Sequence, residues 1–309
     1  MKPYHLLLFV ALLGWGCDKT SETPALPTIP DAVVQSIAGK FNQPTDFTIT
    51  NVQTEGLYAA TFQAQNDHYQ AIISEDGTLL SLEKELPLAA LPLNGVHFIT
   101  HQFPNSTKVF LFAELDPVSN ANIGYFTKIT QAGKGYLLSF DTLGARIGVE
   151  EEPDTVWWRY PVRNVDYLQQ NIRTEINAAQ PLGQFHAASK TIGANGQTRW
   201  NVSVLKDENL YSFLFDGSAN RINPDKKENL LGLDVPGIAI VLEKPLSELP
   251  TVCTDYLNSN FNGWQFQRAI FVVNTLTMES KYSMIITVNQ TVYYIRFGQP
   301  GNFTGATRG

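Results

Sequence analysis

Residues 92–103 read Pro92-Leu93-Asn94-Gly95-Val96-His97-Phe98-Ile99-Thr100-His101-Gln102-Phe103. Ile99 stands seven places after Pro92, and Phe103 stands eleven places after it. Those offsets share one face of a 3.6-residue helix. Pro suits the opening turn, where an N–H has no intrahelical partner. The same spacing recurs at Pro30, Ile37 and Phe41, and again at Pro250, Leu257 and Phe261. The pattern predicts three amphipathic helices, with Phe41, Phe103 and Phe261 buried at equivalent places. A fourth, weaker copy lacks the proline: Leu168, Ile172 and Ile176 fall at offsets 3, 7 and 11 from Val165, with Pro161 nearby.

After each helix the period shortens to that of a strand. Behind Phe41, Tyr58, Ala60 and Phe62 alternate with Ala59, Thr61 and Gln63, the mark of a sheet with two unlike faces. Three strand-like runs end at a turn, Glu75-Asp76-Gly77 in the first copy. The second copy has Asp141-Thr142-Leu143-Gly144 there, and the third has Asp216-Gly217. Asp and Gly suit tight turns that need positive φ or a local side-chain hydrogen bond.

Leu82-Glu83-Lys84-Glu85-Leu86 precedes Leu91-Pro92 as Leu242-Glu243-Lys244-Pro245-Leu246 precedes Leu249-Pro250. A shared connector between copies one and two, and between three and four, predicts a pair of pairs. Pair one would span 29–152 (copies about 29–87 and 88–152), and pair two 156–309 (copies about 161–223 and 246–309). Acidic Glu150–Asp154 would mark the boundary. A unit of about 60 residues buries too little surface to be stable alone, so each pair is expected to fold independently and a quarter is not. The fold class is α+β, in tandem helix-plus-antiparallel-sheet repeats.

Pro–helix–Phe, then a strand bearing an aromatic (Tyr58, Tyr125, Trp200, Tyr282), then a Phe140–Gly144-like turn, resembles the PepSY-like, β-lactamase-inhibitor-like domains of exported bacterial proteins. The resemblance covers nearly all of residues 28–309 as four tandem copies. Copy three departs most, with no Pro start, no aromatic at its helix end, and an insertion at about Asn223–Ile240. The resemblance implies helices packed on antiparallel sheet, and binding or inhibition of proteins rather than catalysis. It brings no shared catalytic residues.

Before the first copy, Lys2 and the apolar run Leu6–Leu13 read as a signal peptide, too short to span a membrane. Gly14-Trp15-Gly16-Cys17 resembles a lipobox. Gly16 fits the pattern, whereas Trp15 and Gly14 depart from it. The expectation is a lipoprotein signal peptide over 1–17, lipid on Cys17, and a polar, Pro-containing tether over 18–28. The alternative is an ordinary cleaved leader, for which no A-x-A-like site follows. Localisation would be the cell envelope, on the periplasmic side or cell surface and by preference the outer membrane. The lipid would be the one membrane contact. Of the two cysteines, Cys253 would then be a single thiol, read as a small core residue. The net charge of −7, with no basic stripe, argues against nucleic acid as a partner.

No G-x-S-x-G, G-x-x-x-x-G-K-[ST], H-E-x-x-H or C-x-x-C occurs, so no catalytic residue, cofactor or metal is assigned. Asp76, Asp141 and Asp216 repeat one turn position, which favours a turn role over acid–base work. His97 and His101, four apart, have the chelating spacing. Their counterparts Gln35, Gly39, Asp255 and Ser259 mark a polar outward face instead. Trp157, Trp158, Arg159 and Tyr160 carry the residue types of a binding hot spot. They equally suit a packed seam or an edge strand, and the packing reading is the better supported. The leading function is a membrane-tethered, non-catalytic binding or inhibitor-like scaffold whose target is an envelope protein or polymer. The alternatives are a structural spacer of an envelope assembly and a hydrolase of unrecognised type.

Overall fold

The computed structural model describes residues 29–52, 56–152, 156–193, 196–222, 226–234 and 239–309. The leader, Cys17, the tether at 18–28, Pro153, Asp154 and parts of the insertion at 223–240 lie outside the described residues.

The chain runs α1 (Asp31–Ala38), β1 (Thr45–Asn51), β2 (Leu57–Ala64), β3 (Asp67–Ser74) and β4 (Leu79–Glu85), the first unit. The second is α2 (Leu93–Gln102), β5 (Thr107–Leu115), β6 (Asn122–Gln131), β7 (Lys134–Phe140) and β8 (Arg146–Glu152). A separate strand, β9 (Val156–Val162), leads into the third: α3 (Gln170–Ala179), β10 (Gln184–Gly193), β11 (Thr198–Lys206), β12 (Asn209–Asp216) and β13 (Lys226–Asn229). Another, β14 (Ala239–Glu243), leads into the fourth: α4 (Thr251–Asn260), β15 (Gln265–Asn274), β16 (Ser280–Val288), β17 (Thr291–Gly298) and β18 (Phe303–Arg308).

The four helices are built alike. Each is preceded by an extended capping residue: Pro30, Pro92, Gln169 and Pro250, with ψ of 139°, 149°, 143° and 135°. Pro serves there because its fixed φ fits and it needs no donor. Eleven places on stand Phe41, Phe103, Gln180 and Phe261. Their N–H groups donate to the carbonyls of Ile37, Ile99, Ile176 and Leu257 at 2.9, 2.8, 2.8 and 2.8 Å. This corrects the third copy by one turn. Its helix counts from Gln169, not Val165, and Ile172 rather than Leu168 matches Val33 and Cys253. A shift of four residues nearly preserves a helical face, so spacing alone left the register open. Val165–Tyr167 is instead a 3-10 turn, placed as Leu88–Ala90 and Leu246–Glu248 are before α2 and α4. Equal burial of the phenylalanines also needs correction: Phe261 is wholly enclosed, whereas Phe41 and Phe103 are half-buried at the rims of their cores.

Among the described residues, thirteen strands form one sheet in the order β1-β2-β3-β4-β5-β6-β7-β8-β18-β17-β16-β15-β14, and β13-β12-β11-β10-β9 form a second. All pairs are antiparallel except the single β8–β18 bridge, Arg146 to Thr307. This order corrects the pair of pairs, because residues 156–309 do not share a sheet. The fourth unit continues the sheet of the first two, while the third stands apart. The cause lies in the connectors. β4 pairs with both β3 and β5, so one strand belongs to two units and the sheet is continuous. Between units two and three the equivalent role is split between β8 and β9, and between three and four it is split between β13 and β14. With two strands in place of one, the chain can leave the sheet.

Helices α1, α2 and α4 pack on one face of the large sheet, through Val33 and Ile37, Phe98 and Ile99, and Cys253, Leu257 and Phe261. Each wholly buried Leu, Ile or Phe contributes roughly 1.5–3 kcal/mol. The other face is covered by the small sheet. Ile192 and Trp158 meet Val52, Leu57, Ala59 and Ile72, and Leu210, Leu230 and Leu231 meet Ile270, Val272 and Tyr294. α3 closes the outer side of the small sheet through Ile172 and Ile176. The layers run helices, large sheet, small sheet, helix.

Candidate functional site

β9 is an edge strand of the small sheet, and its side chains reach both α3 and the large sheet. Val162 and Tyr160 pack towards α3, and Arg159 points into the seam between the sheets. Trp158 and Tyr160 are half-buried against the first unit. Trp157 lies in β9, but its side chain is outside the described residues. Trp158, Arg159 and Tyr160 therefore do not form one exposed patch.

Arg159 is buried, and its guanidinium donates to Glu114 Oε1 at 2.8 Å and Ser139 Oγ at 2.6 Å. It also lies over the Phe126 ring at 4.3 Å. Arg163 donates to the other oxygen of Glu114. Glu83 is paired in register with Glu114 across β4 and β5 and accepts from Gln70 on β3. Burial, then the negative charge of Glu114, pushes the Glu83 carboxyl up to about 7. Glu150 accepts from Ser189 on β10, and burial raises it too. His186 sits beside them, its Nε2 3.1 Å from the Ile147 carbonyl, and burial pushes it down to about 4. Unpaired burial of such charges would cost several kcal/mol each; here two arginines sit among three carboxylates. The cluster fixes how the third unit docks. Its centre, Arg159 with Glu114 and Glu83, is buried between the sheets, whereas Arg163 reaches the surface at its margin.

A second region is open. Where α2 crosses β18, a cleft of about 570 Å³ lies between the end of α2 and the fourth unit, lined by His101, Gln102, Asn274, Lys281, Arg296 and Thr304 among others. Lys281 makes no hydrogen bond or ion pair among the described residues. Burial and the neighbouring Arg296 hold its ammonium below the usual lysine value, partly offset by the carboxylates of Asp234 and Glu279. Arg296 reaches Glu228 at 3.4 Å, and the same carboxylate takes a closer bond from Arg146 at 2.7 Å. The lining is chiefly polar and charged, suited to a hydrophilic segment rather than an apolar ligand. Sequence reasoning missed this cleft, since its residues come from two units about 170 positions apart.

The histidines part company. His97 is not on a solvated face: it packs edge-on against Tyr256 and Phe303, at 6.0 and 5.8 Å between ring centres. That face of α2 meets the fourth unit, which helical spacing could not show. His101 is exposed at the cleft. No group of three or more metal-ligating side chains occurs among the described residues. The three aspartates act in turns. Asp76 Oδ1 accepts from Thr78 N, Asp216 Oδ1 from Ser218 N and Asn220 N, and Asp141 Oδ1 from Leu143 N and Ala145 N, at 2.8–3.0 Å. Asp141 also accepts from the Tyr293 hydroxyl at 2.8 Å, which ties the second unit to the fourth. Cys253 is fully enclosed in the fourth core, and burial pushes its thiol up to about 11, far from thiolate chemistry.

No family model matches the sequence, and no curated protein does. Among solved structures the chain is similar to a BLIP-like protein from Bacteroides fragilis, at 17% identity over 43% of this chain and 95% of that one, with a TM-score of 0.36. A DUF2874 family protein from Bacteroides ovatus aligns at 16% identity over 40% of this chain and 88% of that one, TM-score 0.34. One from Bacteroides uniformis aligns at 11% identity over 40% and 88%, TM-score 0.35.

Proposed function

We propose that the chain is a non-catalytic binding or inhibitor-like scaffold of the bacterial cell envelope, built from four tandem PepSY-like copies and tethered through lipid on Cys17, by preference at the outer membrane. Its target is an envelope protein or polymer that offers a hydrophilic segment to the cleft between α2 and the fourth unit. The observation that carries this reading is the cleft itself, an open concavity of about 570 Å³ in which the Lys281 ammonium makes no hydrogen bond or ion pair among the described residues, the carboxylates of Asp234 and Glu279 acting on it only at longer range. In the ion cluster, by contrast, the central charges Arg159 and Glu114 are buried and paired with each other across the seam to the third unit. A positive group already held in a partly desolvated cleft gains more from an anionic partner than an exposed lysine would.

Affinity capture from an envelope extract with the full chain tests this. A captured target should be lost with Lys281→Gln, by about tenfold in affinity, while the melting temperature stays unchanged. Capture that survives Lys281→Gln removes the cleft from the reading. Capture only of the fixed neighbours in one complex supports a spacer instead. The anchor has its own check. Cys17→Ser should leave the protein soluble in the periplasm, and continued partition with membranes would refute lipidation.

A further inference from the structure

We infer that β14 is an unfinished sheet edge, and that it pairs antiparallel with β14 of a second copy of this chain. The inference is independent of the cleft. Among the described residues β14 is bonded on one side only, to β15, so alternate N–H and C=O groups face outward. Its counterpart β4 carries the same Leu-Glu-Lys, and there both sides are occupied, by β3 and β5. Leu82 of β4 is sealed beneath α1 with Val33 and Ile37. Beside β14 no preceding helix or strand among the described residues takes that place, because the third unit lies on the other face of the large sheet. Ile240, Val241 and Leu242 are left 49%, 43% and 48% exposed. The apolar surface continues inward across the register Leu242, Phe271, Tyr282, whose two rings lie 4.8 Å apart and are half-buried.

Soluble proteins blunt exposed edges with charge, proline or bulges, and the opposite edge of this sheet shows how. β1 slips register between Thr45 and Thr48, Asp46 stands at φ 49°, and Phe47 and Ile49 turn onto their own core. β14 has no register shift against β15, and its one charge, Glu243, sits at its end. Antiparallel pairing about Val241 matches Ile240 with Leu242 of the second copy and Ala239 with Glu243, so no like charges face each other. The arrangement closes on itself by two-fold symmetry. A β1-to-β14 contact would instead propagate into a filament, and the blunted β1 opposes it.

The test uses the full chain carrying Cys17→Ser, with Cys253 buried. Sedimentation should show a dimer that dissociates on dilution. Adding Val241→Cys should yield a disulfide-linked dimer under copper-catalysed oxidation, while Thr48→Cys on β1 should not. Val241→Lys should weaken association by about tenfold or more with the melting temperature retained, and Val241→Pro serves as a second disruption. A monomer at the highest soluble concentration overturns the inference. So does a dimer indifferent to both Val241 substitutions, or cross-linking through Thr48→Cys.

Discussion

Leu82-Glu83-Lys84 and Leu242-Glu243-Lys244 are the same tripeptide in two copies of one strand, and they live in opposite surroundings. Leu82 is 1% exposed and Leu242 48%. Glu83 is buried with its carboxyl pushed up to about 7, while the Glu243 side chain is 74% exposed and reaches Arg268 at the surface. Local sequence is constant, so the difference comes from what packs against each strand. β4 lies between two units and beneath the third. β14 has lost the unit before it. Burial, protonation and the strength of each contact belong to the assembly rather than to the residue.

Arg159 holds the third unit against β5 and neighbours β4. Arg159→Ala should cost about 3–5 kcal/mol in chemical denaturation, because it leaves Glu114 buried with one partner fewer. A loss near zero would mean that the seam does not set the docking. Leu82→Ala should cost about 2–5 kcal/mol, and Leu242→Ala less than about 1. Equal losses would erase the contrast. Among the helix-end phenylalanines, Phe261→Ala should cost about 3–5 kcal/mol, with Phe41→Ala and Phe103→Ala nearer half of that.

The carboxyls give the pH signature. A carboxyl whose folded value is raised favours the protonated state in the fold, so its contribution is present below the unfolded value, about 4.5, and is lost as pH rises through about 7. Glu83→Gln should therefore stabilise the protein at pH 8 by about 3 kcal/mol or less, and should remove that part of the slope between about pH 4.5 and 7. His186, held down to about 4, acts with opposite sign between about 6.5 and 4, so parent and variant must be compared at each pH. A Glu83→Gln variant less stable than the parent at pH 8 would refute the assignment. The smallest effect belongs to Glu243→Gln, within about 0.5 kcal/mol at any pH, as expected of an exposed pair.

The helices and most strands could be read because their determinants are local. Pro92, Ile99 and Phe103 state a helical face, and Tyr58, Ala60 and Phe62 state a strand with two faces. Asp76, Asp141 and Asp216 revealed their turns for the same reason, since an aspartate oxygen bonds backbone two to four residues ahead. The reading failed where two answers share one local pattern. A one-turn shift of the third helix left its apolar face intact, so only the hydrogen bond of Gln180 to Ile176 fixed it. Trp157–Tyr160 read as one cluster, yet Arg159 is sunk in the seam on Glu114 while Trp158 and Tyr160 pack half-buried against the first unit.

What could be read from residues alone was local: the starts of three of the four helices, the strand periods, the turns, and which faces of α1, α2 and α4 turn inward. These follow from backbone geometry and residue chemistry within a few positions. The tertiary structure alone decided how the units meet. Whether a connector became one shared strand or two, which sheet face the third unit covered, and which edge stayed bare depended on contacts between residues far apart in the chain. Such contacts are selected by the summed fit of whole faces, and no local period records them.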